Sequence, residues 1–494
     1  MITIRCRRLG CPVALLLAAL HSAPAAAQRF EVDHQYPVAE LREDFALLRT
    51  ALEEAHSGLY RYSSKAEIDR MFDTAAARLN TPKTELQFLS VIAPVVAGVN
   101  DGHTGFRPST GLTTYLESQP FAFPFNLRFV DGTAYLFRNY SDARDIEMGA
   151  ELTHLNGIAM QEIAARLLPM IHSDGRVVTS KFRRGLESTT NFAQLFALAY
   201  GLTTRFELTY VPPGGDATRT VAVDGITAAD VQERFAERYP EAAAAQNQPP
   251  IELVWREGVP VLTVRTFGGG AYGTAGIDYP NFLVTAFGEM AERQPSHLII
   301  DVRGNSGGAD HFGKLLAAHL LDHEFDYYGE LEINAPTFGF LEHTDQPRFA
   351  MPQSRVRPNA RGIYDVLGHP NLGPQQPVNP VFDGDVFILI DGGSFSATGE
   401  FTSVVHHLGR ATFVGEESGA GYYGNVSGGG AMLTLPHTSV RIWIPFIKYS
   451  CAVSGYTPVD RGLIPDHIVV PTIEDLLAGR DPALDFALEM AARP

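Results

Sequence analysis

The sequence predicts an α/β protein with a helical N-terminal part and a small α+β domain ahead of the main sheet. Three observations carry that prediction. Residues 38–115 follow helical spacing, residues 118–225 break into short β-like runs, and from 251 onward apolar strands alternate with helices. The chain has 494 residues, enough for two or three domains around a large core.

The first 27 residues read as a secretory signal. Arg5, Arg7 and Arg8 form a basic start, 13–20 (VALLLAAL) is a short apolar run, and Ala25, Ala26 and Ala27 suit cleavage before Gln28. The apolar run is too short for a bilayer-spanning anchor, and Cys11 precedes it, which is the wrong order for a lipoprotein. The expectation is an exported protein, periplasmic or secreted, with no stable membrane anchor. Cys6 and Cys11 leave with the signal, so Cys451 remains alone and no internal disulfide can form. The formal charge of −17 becomes −20 once the three arginines are removed. Such an acidic surface disfavours nucleic acid as a partner.

Domain by domain, 28–117 is expected to be a helical N-terminal domain. In 38–56, Leu41, Phe45, Leu48 and Leu52 lie on one helical face. Further helices are expected over 66–79 and over 84–97, the latter started by Thr81-Pro82. The segment breaks at the Asp-Gly turn of NDGHTG (100–105), which carries His103. In 118–225, GAELTHLNGIAMQEIAARLL (149–168) reads as strand, Asn-Gly turn and helix. Its E-L-x-x-L-N-G-I pattern resembles the ligand-groove region of a PDZ domain, with 170–200 as a helical insertion. Residues 226–250, rich in Ala, Glu and Gln, read as a linker or exposed helix. The core is placed at 251–475 and a final helix at 476–494. Strands 298–302 and 386–390 are apolar on both faces, so they belong in the middle of a helix-covered sheet.

Two segments of that core carry the chemistry. LIIDVRGNSGG (298–308) runs a buried strand into Gly307 and Gly308, and VFILIDGGSFSATGE (386–400) runs another into Ser396. Downstream, Phe401, Val404, Val405 and Leu408 make an amphipathic helix ending at Gly409, so Ser396 stands at that helix's N-terminus. A serine there is a candidate nucleophile, though serine is also a favoured N-cap. Gly307 and Gly308 let the backbone approach a substrate carbonyl and offer an oxyanion donor, with Ala397 supplying the second. Arg303 and Asn305 are expected to brace the loop.

The order DGHTG, DVRGNSGG, SFSATGE, FVGEESGAG and RGLIPDHIV resembles the tail-specific (C-terminal processing) protease family over most of the chain. That resemblance implies a crotonase-like ββα core and peptide hydrolysis by Ser396. Many members use a Ser–Lys dyad, but Gly421 stands where the lysine would be. The tricorn-like branch instead implies a histidine from the N-terminal part, which maps onto His103, the side chain type suited to proton transfer near neutral pH. The same branch places an acidic partner near Asp460, with Glu416 and Glu417 as rivals. Where that pattern has a serine beside the histidine, this chain has Gly102. His406 and His407 ride the helix after Ser396, roughly 15 Å along it, and His437 has no motif.

The expected function is thus a serine endopeptidase acting on unstructured or C-terminal peptide segments. No metal or cofactor motif occurs, so none is expected. Two other readings stay open. The missing lysine suits a non-catalytic exported binding protein for apolar or peptide ligands. A crotonase-type acyl-CoA enzyme shares the core, but export argues against it.

Overall fold

The computed structural model describes residues 30–493, so the signal-like segment lies outside the described residues. Its centre is a six-stranded sheet in the order His467–Ile468, Thr412–Gly415, Asp385–Ile390, His297–Asp301, Val259–Val264 and Ile251–Arg256. Neighbours are parallel except for the antiparallel hairpin made by the last two. The two strands read as central are central: Ile299 pairs with Phe387 and Ile300 with Ile388. All four are buried, as strands covered by helices on both faces require. On one face Ala483, Ala487 and Ala491 of the Pro482–Ala491 helix pack on Ile299, Leu389 and Val414.

Ahead of this core, helices span Val38–Ala55, Lys65–Ala77 and Glu85–Ala97. The third helix starts at Thr84 rather than Thr81-Pro82, because Thr84 and Gln87 form a reciprocal capping box that Thr81 cannot match. The small domain is an antiparallel sheet built from Phe125–Val130, Thr133–Asn139, Glu151–Leu155, Arg205–Val211 and Arg219–Asp224. The Met160–Leu167 helix follows the Asn156-Gly157 turn as its sequence suggests. Residues 226–250, given above as a linker or exposed helix, hold helices Ala228–Arg238 and Pro240–Ala245. Val231 and Phe235 bury one face of this segment against Ala122, Tyr140 and Ile226.

What positions the site is the stitching of the N-terminal part onto the core. The short strand Gly105–Arg107 pairs with Arg441–Ile444, setting Gly105 opposite Trp443. The buried Asp44 accepts the amides of His437 and Thr438 and the Thr438 hydroxyl, at 3.1, 2.8 and 2.6 Å. Arg61 donates to the Tyr423 carbonyl at 2.9 Å. Among the described residues no helix is long and apolar enough to cross a membrane.

Candidate active site

The Asp385–Ile390 strand ends in a tight turn held by Ser394. Its hydroxyl donates to the Val302 carbonyl at 2.8 Å, tying this turn to the neighbouring strand end. Two residues on, Ser396 takes φ +57° and ψ −128°, a conformation that L-residues rarely adopt. Its side chain makes no capping bond to the Ala397–His407 helix it precedes. The N-cap alternative therefore fails. The strained turn aims Oγ out of the sheet's end, and Oγ lies 3.0 Å from Nε2 of His103, a residue 293 positions away.

His103 is mostly buried, with its side chain 18% exposed, and its ring stacks on Phe395 with centroids 4.7 Å apart. Burial lowers its pKa against the opposing pull of Asp101 and Asp174, so the ring is neutral and able to accept a proton near pH 7. With Nε2 as acceptor, the proton sits on Nδ1, which lies 3.9 Å from Asp101 Oδ1.

Asp101 is itself locked. Thr104 donates its amide and hydroxyl to Oδ2 at 2.9 and 2.6 Å, His56 Nε2 is 3.4 Å away, and the Val426 amide reaches Oδ1 at 3.3 Å. Burial alone would raise its pKa. The hydrogen bond and charge of His56, then His103 and Thr104, outweigh that and hold it well below the usual carboxylate range. Behind it, the buried Asp174 accepts the amides of Gly102 and Gly421 at 2.7 and 3.0 Å. Burial and the charge of Asp101 raise the Asp174 pKa.

Asp101, His103 and Asp174 offer ligand atoms within 4.8 Å of one another, the one grouping among the described residues that could hold a metal ion. The carboxylate oxygens in it already accept hydrogen bonds from the chain. Their arrangement suits an orienting role for the histidine at least as well as coordination.

The sequence-predicted residues divide. Ser396, His103, Gly308 and Ala397 come together around one cavity of about 330 Å³, which Asp310, Tyr328 and Tyr449 also line. The amides of Gly308 and Ala397 have no partner among the described residues, whereas Gly307 donates its amide to Asn305 Oδ1 at 2.9 Å. Of the two glycines, then, Gly308 is the one placed to serve an oxyanion. Gly307 is needed for space: a Cβ there would lie 2.7 Å from Cβ of Ser396. Asn305 and Arg303 brace the loop, Asn305 through the Val264 carbonyl at 3.0 Å and Arg303 through Asp301 and Asp481.

Asp460 is elsewhere. Its carboxylate pairs with Arg176 at 3.0 Å and its carbonyl accepts the Arg176 amide, so it braces the loop that carries Asp174 instead of facing His103. Glu416 pairs with Arg183 and Glu417 with Arg461. His406 bonds the Tyr422 hydroxyl, and His437 bonds Glu43. A Cβ at Gly421 would sit 2.7 Å from the Tyr62 hydroxyl and 3.2 Å from Cβ of Asp174, so the lysine position is filled by neighbours. Sequence reasoning missed Asp101, although it stands two residues before His103. It also missed Asp174, which no local pattern marks.

Glu400, one helical turn beyond Ser396, lines the same cavity and bonds Tyr328 and Asn425 at 2.6 and 2.8 Å. Burial pushes its carboxyl up to about 7 despite those bonds.

No curated protein matches the chain in sequence. The crystal structure of mature CPAF shares its fold at TM-score 0.60 and 16% identity, over 92% of this chain and 96% of that one. Mature CPAF complexed with lactacystin gives TM-score 0.62 at 16% identity, over 92% and 98%. The tricorn protease is a more distant likeness, with TM-score 0.39 and 15% identity over 92% of this chain and 36% of that one. The model of peptidase family S41 matches residues 259–427, the stretch that holds both glycines and the serine turn. Over residues 259–427 the chain is thus similar to the serine peptidases of that family, and it shares the fold of mature CPAF.

Proposed function

We propose that the chain is an exported serine endopeptidase, periplasmic or secreted, that cleaves unstructured or C-terminal peptide segments by Ser–His catalysis. The observation that carries this reading is the 3.0 Å contact between His103 Nε2 and Ser396 Oγ, made from a strained turn that leaves Oγ free of any cap. His103 takes the Ser396 proton as Oγ attacks the scissile carbonyl. The amides of Gly308 and Ala397 hold the oxyanion, and His103 then protonates the leaving amine. A water molecule, deprotonated by the same ring, hydrolyses the acyl-enzyme. Asp101 stabilises the imidazolium formed at each step, in the place first given to Asp460.

The test is digestion of casein, an unfolded polypeptide, with the fragments mapped by mass spectrometry. Internal cleavages are expected from the wild-type chain and not from Ser396→Ala or His103→Ala. Fragments that persist in Ser396→Ala would move the nucleophile to another residue. An intact casein with folded wild-type protein would refute the endopeptidase reading.

A further inference from the structure

A second cavity, about 660 Å³, opens at the carboxyl ends of the parallel core strands, where open α/β sheets commonly bind ligands. Ser306 and Gly393 line it, and they flank the oxyanion glycines and the serine turn, so it adjoins the site already described. Five arginines also face it, and four are neutralised. Arg128 pairs with Glu187, Arg183 with Glu187 and Glu416, Arg265 with Glu252, and Arg303 with Asp301 and Asp481.

Arg184 is the exception. Its guanidinium makes no hydrogen bond or ion pair among the described residues, and its Nη1 is buried without a partner. Its Cζ lies 4.0 Å from the centroid of the Phe395 ring. The His103 ring stacks on that same side chain, so Phe395 links the free cation to the base and to the adjacent nucleophile. Arg184 sits in a π-helical turn, Phe182–Leu186, a geometry that recurs at functional sites because it re-aims side chains. Burial lowers its pKa, and the charges of Asp174 and Asp101 only partly offset this, their oxygens being bonded elsewhere. A guanidinium whose Nη1 is buried and unpaired, in a chain of net charge −17, calls for an external anion. Its planar fork fits a carboxylate best.

We infer that Arg184 is a specificity-determining residue that binds a carboxylate of the peptide lying in this cleft. The inference rests on the peptidase reading above and names the substrate chemistry for that site. The carboxylate has two sources, the free end of a chain or an Asp or Glu side chain. The rival role for Arg184, a distant counter-charge to Asp101 and Asp174, would tune His103 without discriminating among ligands.

Isothermal calorimetry on the full chain carrying Ser396→Ala separates these, since it requires no turnover. The probes are N-acetyl-tetra-alanine as free acid, the same peptide as its amide, and N-acetyl-Ala-Ala-Glu-Ala amide. One of the two carboxylate peptides should bind about ten-fold tighter than the tetra-alanine amide, as one charge-assisted pairing provides. Preference for the free acid identifies the chain end, and preference for the Glu peptide identifies the side chain. Adding Arg184→Met should erase the preference, while Arg184→Lys keeps part of it. If all three peptides bind alike, or none binds at millimolar concentration, the inference is overturned. A preference that survives in both Arg184 variants overturns it too. Loss of casein cleavage bears on the Ser–His reading alone, so the two failures are told apart.

Discussion

Ser396 is held mainly by the strand and helix on either side of it and by the adjoining strand end, whereas His103 is held by residues as distant as Asp174, Gly421 and Val426. The serine turn needs the strand that leads into it, the helix that leaves it, and Ser394 bonded to Val302 on the next strand. The histidine loop needs a two-strand stitch at Gly105–Arg107, a buried carboxylate bridging to Val426, and a second one bridging Gly102 to Gly421. The nucleophile therefore rests on one sheet's own strand ends, and the base on contacts from several separate parts of the chain. Damage to the first should act on chemistry directly, and damage to the second should act through position.

The largest effects belong to the pair itself. Ser396→Ala or His103→Ala should each lower casein turnover by on the order of 10⁴-fold, and the double variant should lose little more, because the two act as a unit. Additive losses would mean that they do not. Next comes Gly307→Ala. Its backbone is at φ +93° and the new methyl would press on Ser396, so turnover should fall by about 10²- to 10³-fold through a displaced Oγ and Ala397 amide. Retained activity would show that the turn tolerates the shift.

On the histidine side, Asp101→Asn should cost about 10²-fold in kcat, while Asp460→Asn should change it by less than about three-fold. That contrast is the sharpest check on which carboxylate serves the ring. Asp44→Ala lies further from the chemistry. Leaving the amides of His437 and Thr438 unpaired should cost about 2–4 kcal/mol of stability, read as a shift in urea midpoint. The smallest effect is in pH dependence. Because burial lowers the His103 pKa, its neutral form persists below the ordinary histidine range. The acid limb of kcat/KM should then lie below about 6.5. A limb at or above that value would mean that Asp101 and Asp174 outweigh burial.

The same division explains what the sequence makes legible. Strands 298–302 and 386–390 announce themselves by unbroken apolar runs, and the helix after Ser396 by its spacing, so the nucleophile and the Ala397 donor follow from local pattern. Choosing Gly308 over Gly307 is beyond pattern, since it depends on the Asn305 side chain turning back to one amide. His103 is legible only through its motif and resemblance. Asp101 was within reach of a local reading, but the resemblance pointed to Asp460, whose carboxylate the fold gives to Arg176. Asp174 and Arg184 arise from the insertion at 170–200. Nothing in its sequence reveals that it folds back onto the histidine loop and the serine turn.

The central claim is that Ser396 is activated by His103, and fluorophosphonate labelling with peptide mapping tests it most directly. The account predicts one modified residue, Ser396, in the wild-type chain, with labelling abolished in folded His103→Ala and unchanged in Asp460→Asn. Labelling of Ser396 that survives loss of His103 would contradict it.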